Sequence, residues 1–260
     1  MSSPSPAPFL RLRQVCLVAA DLAREAEAIK AIFGLEECYR DPNVGRYGLE
    51  NVLFPVGSDF IEIVAPTRAN TAAGRFLARH GGRHGYMVIM DCDDPEARQK
   101  HCEAMGVRTA NLIRHHDYLG VQLHPKDTGG AMIEFNRTDE GADPMGAYAP
   151  AGAGWQKAVR QDVTRRMVAA EIECAQPAKI AERWSAILQS PVRPLGDGKF
   201  RIALDTGAIN FLPGEYPEPV LAGIELQVID RQRVVGAAQA RNCLTTDGRI
   251  DVCGVRFRLR

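Results

Sequence analysis

LGVQLHPKDTGGAMIEFNR, residues Leu119 to Arg137, decides how the chain is read. Val121 and Leu123, then Ala131, Ile133 and Phe135, alternate with other residues at the two-residue period of β-strands. Between them HPKDTGG reads as a loop: Pro125 removes a backbone donor, and Gly129 and Gly130 permit positive φ. The stretch is therefore strand, tight loop, strand, with Glu134 inside the second strand. A carboxylate among apolar neighbours either faces solvent on an alternating strand or faces a concave site as a base or metal ligand, because burying it without a partner is costly.

Working outward, the pattern recurs. RQVCLVA, Arg13 to Ala19, reads as a strand covered on both faces, and Asp21 caps a helix that stops at Gly34. Strands follow in GRYGLENVLFPVGSDFIEIVAP, where Glu62 takes the place that Glu134 holds in AMIEFNR. A second copy opens with the strand Gly85 to Met90 and a helix begun by Asp94-Pro95; Arg108 to Arg114 and the opening stretch supply its remaining strands. TAAGRFLARHGGRH reads as a connecting helix and a Gly-rich hinge. Two weaker copies follow a stretch rich in Gly, Ala, Pro and Asp, the last being short and expected to end before its final strand. The expected layout is a disordered leader (1–9), a first domain (10–142, with units 10–66 and 82–137), a linker (143–160) and a second, degenerate domain (161–260).

Lys plus Arg and Asp plus Glu number 32 each, so the chain carries no net charge with which to grip nucleic acid or an anionic membrane. No apolar run reaches bilayer-spanning length, and the leader lacks the blocks of a signal peptide. Seven cysteines without a CxxC pair fit a reduced, cytoplasmic protein better than a disulfide scaffold.

Paired βαβββ units with an acidic residue in each last strand resemble the vicinal oxygen chelate superfamily, the group of glyoxalase I, methylmalonyl-CoA epimerase, extradiol dioxygenases and bleomycin-resistance proteins. LHPKDTGGAMIEF is most similar to the end of the second unit in the glyoxalase-like and epimerase-like branch. The resemblance implies an α+β fold, paired βαβββ modules forming curved mixed sheets around a cleft, in two glyoxalase-like domains. It also implies a divalent metal (Mg, Mn, Ni, Co or Zn) held by one residue from the first and last strand of each unit. Carried over, these positions fall on Gln14, Glu62, Met87 and Glu134. Histidine is usual at the first-strand positions, and neither Gln14 nor Met87 is one, which counts against an occupied site; His84 is offset by an odd number of residues. The metal set is therefore Gln14, Glu62 and Glu134, a hard donor set.

The implied activity is that of a lyase or isomerase acting on a small carbonyl compound, with Glu62 or Glu134 moving a proton. The alternative is a metal-free small-molecule binding protein with an apolar cleft. Cys16, Met87, Asp91, His124 and Lys126 are the candidate substrate contacts: the first three by strand face, the last two by their place at the loop. His115 and His116 read as surface residues near a turn. Such units close a cleft either within one chain or across a homodimer.

Overall fold

The structure is a computed structural model that describes residues 8–82, 85–216 and 218–260. The first unit comprises β1 (Leu10–Val18), α1 (Leu22–Phe33), β2 (Leu49–Val56) and β3 (Asp59–Pro66), and α2 (Ala72–Arg79) leads out of it. The second is β4 (Gly85–Cys92), α3 (Pro95–Ala104), β5 (Thr109–Arg114), β6 (Tyr118–Leu123), α4 (Pro125–Thr128) and β7 (Met132–Thr138). The third is β8 (Thr164–Cys174), α5 (Pro177–Leu188), β9 (Val192–Gly196), β10 (Lys199–Ala203) and β11 (Ala208–Pro213). The fourth is β12 (Val220–Val228), α6 (Arg231–Ala240), β13 (Ile250–Val252) and β14 (Val255–Leu259).

In every unit the first and last strands lie side by side and parallel: β1 with β3, β4 with β7, β8 with β11, β12 with β14. The first strands then pair antiparallel, β1 with β4 and β8 with β12, and Leu221 opposite Gly85 joins the halves into one curved sheet. The fourth copy thus possesses its last strand, β14, contrary to the sequence reading. What it lacks is the strand after its helix, reduced to a bridge between Leu244 and Ile250; in the first unit the same strand shrinks to a bridge between Tyr39 and Leu53. The HPKDTGG stretch is also more ordered than a loop. His124 caps a one-turn helix, α4, that Gly129 ends at φ 82°.

β1 is buried along its whole length, and its two faces go to different environments. Leu10, Leu12, Val15 and Leu17 enter the main core, which would break a two-residue alternation but for a bulge at Arg13, between Leu12 and Gln14. The bulge puts Gln14, with Cys16, on the side opposite to Leu12. Helices α1 and α6 pack together, as do α3 and α5, so the apolar faces of both halves merge into one core. Phe33 meets Phe257 at 4.6 Å between ring centroids, and Trp184 Nε1 donates to the Thr128 carbonyl at 3.0 Å. The stretch expected as a linker is itself packed: Tyr148 and Trp155 are buried and close against Phe60 at 4.8 and 4.9 Å. Of the expected leader, residues 1–7 lie outside the described residues, and Arg11 lies over the Phe9 ring at 4.7 Å.

Candidate active site

The side of the first half's sheet that turns away from the core lines a cavity of about 1080 Å³. β1 contributes Gln14 and Cys16, β3 Glu62, β4 Met87 and Ile89, and β7 Met132 and Glu134. Strand register explains why these meet. Glu62 lies opposite Cys16, two residues beyond Gln14, and Glu134 lies opposite Ile89, two residues beyond Met87. Gln14 and Met87 are therefore equivalent positions in the two units.

Glu62 and Glu134 are 8% and 3% exposed, and among the described residues neither is hydrogen-bonded to an arginine or lysine. Gln14 Nε2 donates to Glu62 Oε2 at 2.8 Å and Asn51 Nδ2 donates to Oε1 at 2.7 Å. Glu134 accepts from Tyr118 Oη at 2.6 Å, Gln122 Nε2 at 2.7 Å and Asn136 Nδ2 at 3.2 Å. Neutral amide and phenol donors thus solvate both carboxylates in place of water. Burial raises the proton affinity of Glu62; the nearby charge of Glu134 adds to this, and hydrogen bonds from Asn51, Cys16 and Gln14 oppose it. Burial, reinforced by Glu62, holds the Cys16 thiol well above its ordinary value, which makes it a protonated wall residue and no nucleophile. Tyr118 and Tyr148 are likewise kept as phenols by burial.

Three expected contacts fall elsewhere. Asp91 occupies the cleft-side face of β4 but is sealed under residues 141–144: Arg11 Nη2 pairs with it at 2.6 Å and also reaches the Gly141 carbonyl, while Arg13 holds the Pro144 carbonyl at 2.7 Å. His124 is spent on the cap of α4, its Nδ1 accepting from the Lys126 amide at 3.3 Å. Lys126 is exposed, and α4 projects toward α5, where Trp184 and Arg183 take its carbonyls. His84 lies outside the described residues. His115 and His116 are exposed residues at a turn, as expected, and they also line the cavity together with Arg46 and Tyr47.

Sequence reasoning missed Asn51, Tyr118, Gln122, Asn136 and Tyr148. Gln122 sits directly opposite Glu134 and Asn136 follows it at the strand period, so alternation around LGVQL and IEFN carried a signal for both. Tyr148 arrives from a turn and left none. On the corresponding strands of the second half, Asn210 stands where Glu62 does, and ion pairs fill the face: Arg201 with Glu225, Arg256 with Glu173, and Arg258 with Glu171.

Residues 11–135 match the sequence profile of the Glyoxalase/Bleomycin resistance protein/Dioxygenase superfamily. The N-terminal half is thus similar to that superfamily. Human mitochondrial methylmalonyl-CoA epimerase is 25% identical over 132 residues, 49% of this chain and 73% of the relative. Two solved structures share the glyoxalase-like fold along nearly the whole chain. A hypothetical protein from Staphylococcus aureus superposes with TM-score 0.67 at 12% identity, covering 97% of this chain and 99% of its own. The Mn(II)-bound glyoxalase from Novosphingobium aromaticivorans gives 0.65 at 13% identity, covering 97% and 82%.

The four positions that would hold a metal in a glyoxalase-like cleft do not fit one. Met87 offers a soft thioether, and Gln14 turns its NH2 toward Glu62 while its oxygen accepts from Tyr148 Oη at 2.9 Å. Both carboxylates are already bonded through each oxygen. Among the described residues no three His, Cys, Asp or Glu side chains converge as ligands.

Proposed function

We propose that the chain is an isomerase of the epimerase kind that moves a proton at the carbon beside a carbonyl, with Glu62 as the base and without a metal. The observation that carries this reading is the pair of buried carboxylates facing one cavity, solvated by neutral donors, with the proton affinity of Glu62 raised toward that of a working base. The similarity to an epimerase over 132 residues of the chain supports it.

Gln14, Asn51 and Gln122 each spend one amide hydrogen on a carboxylate and retain a second for a substrate oxygen. Those hydrogens would stabilise the negative charge that develops as Glu62 removes the proton, and Glu62 or Glu134 would return it. Among the described residues that line the cavity, Arg46 is the sole arginine or lysine, so the reacting end is read as an uncharged carbonyl and not a second carboxylate.

The test is deuterium exchange from solvent into the C–H beside the carbonyl, followed by NMR over a panel of small ketones, hydroxyketones and acyl thioesters. Glu62→Gln should lower exchange ~10²–10⁴-fold. Exchange that is unchanged in Glu62→Gln would overturn the assignment. Tight binding of panel members without exchange would favour the metal-free binding protein, a reading to which the apolar wall of Met87, Ile89 and Met132 lends itself.

A further inference from the structure

Tyr148 reaches the cleft from outside both units of the first half, and its phenol stands between the two carboxylate clusters. It donates to Gln14 Oε1 at 2.9 Å, and Gln14 Nε2 donates to Glu62 at 2.8 Å. On its other side Asn136 Nδ2 lies 3.4 Å from the phenol oxygen and 3.2 Å from Glu134 Oε1. Glu62, Gln14, Tyr148, Asn136 and Glu134 therefore form one unbroken chain of hydrogen bonds, every member buried.

Chemistry fixes the direction of that chain. An ionised carboxylate only accepts, so Glu134 draws the Asn136 NH2 toward itself and toward the phenol oxygen. The Tyr148 hydrogen is then left to point at Gln14, whose oxygen takes it. With its oxygen so engaged, the Gln14 amide presents N–H to Glu62. The orientation leaves Asn136 Oδ1 buried without a hydrogen-bond partner among the described residues. The ring is held independently of the hydroxyl, stacked on Phe60 with the Arg13 guanidinium 4.6 Å over its centroid.

We infer that Tyr148 is a positioning residue: by locking the Gln14 amide with its N–H on Glu62 it keeps that carboxylate in the ionised, proton-accepting form. Other groups face these residues. Cys16 and Glu134 face Glu62, Tyr118 faces Glu134, and Arg13 and Asp91 face Tyr148. All of them stay in place when a single phenol oxygen is removed.

The inference rests on the proton-transfer reading for its kinetic consequence, but its first readout needs no activity. Side-chain carboxyl carbons of the full chain are titrated by NMR, with Glu62 assigned from Glu62→Gln, in the wild type, Tyr148→Phe, Gln14→Met and the double variant. Tyr148→Phe and Gln14→Met should each raise the Glu62 midpoint by about one unit, and the double variant should match either single one, since both break the same link. In deuterium exchange by Tyr148→Phe the acid limb of kcat should move up by the same amount with KM unchanged, a loss of roughly tenfold below the limb. An unmoved Glu62 midpoint in Tyr148→Phe, or shifts that add in the double variant, would overturn the inference. Should Tyr148→Phe fail to fold, Gln14→Met alone decides, with the same shift expected. If the wild type shows no exchange while the midpoints shift as stated, the positioning role stands and the isomerase reading falls.

Discussion

At the scale of single residues, Asp59 shows how far burial alone moves a carboxyl group. Its affinity for a proton is pushed up to about 7 by burial, which the nearby Arg13 guanidinium only partly opposes. The folded chain therefore binds this proton more tightly than the unfolded one. The resulting stabilisation is fully present below the ordinary value of 3.8 and is lost as pH rises through about 7. Asp59→Asn mimics the protonated form, so it should leave the thermal midpoint almost unchanged at pH 4 and raise it at pH 8. A difference that is constant with pH would assign the effect to packing. Cys16 makes a companion case: its thiol, held protonated in the wall, should resist alkylation in the folded chain at pH 8 as long as Glu62 is intact. Rapid labelling of Cys16 under native conditions, read by mass spectrometry, would contradict that.

At the scale of elements, α4 explains both a success and a failure of reading the sequence. Strand alternation singled out Glu134 but left open solvent or a cleft, and the family resemblance chose the cleft; Glu134 and Glu62 are equivalent because each lies on a last strand that runs parallel to the first strand of its unit. His124 and Lys126 were legible as a strand end but not as belonging to another neighbourhood. Their direction is set by Trp184, which grips the Thr128 carbonyl from 56 residues away. Nor did the sequence announce the bulge at Arg13, without which Gln14 would face the core; a bulge depends on the partner strand and on carbonyls of a later turn that hold the arginine. Tyr148 was hidden for the same reason. Two substitutions probe the α4 junction. Gly130 has φ 143° and an added Cβ would fall 2.2 Å from the Pro219 carbonyl oxygen, so Gly130→Ala should cost at least ~1–3 kcal/mol in urea unfolding. Trp184→Ala should cost about 3–5 kcal/mol, because it empties a fully buried site and orphans the Thr128 carbonyl.

At the scale of the whole molecule, the halves share one apolar core and helices of each pack on the other. Heating should therefore give one calorimetric transition, and residues 8–160 expressed alone should fail to yield a cooperatively unfolding monomer. Two separated transitions would show that the halves are independent. The ion pairs across the second half have a further consequence. Arg201, Arg256 and Arg258 lie over the strands that in the first half border open space, and their partners Glu225, Glu173 and Glu171 neutralise them there. Among the described residues, the face that lines a cavity in the first half thus carries ion pairs in the second. Isothermal titration with a ligand of that cavity should therefore give one molecule per polypeptide and a hyperbolic saturation curve, and a second equivalent taken up would contradict this.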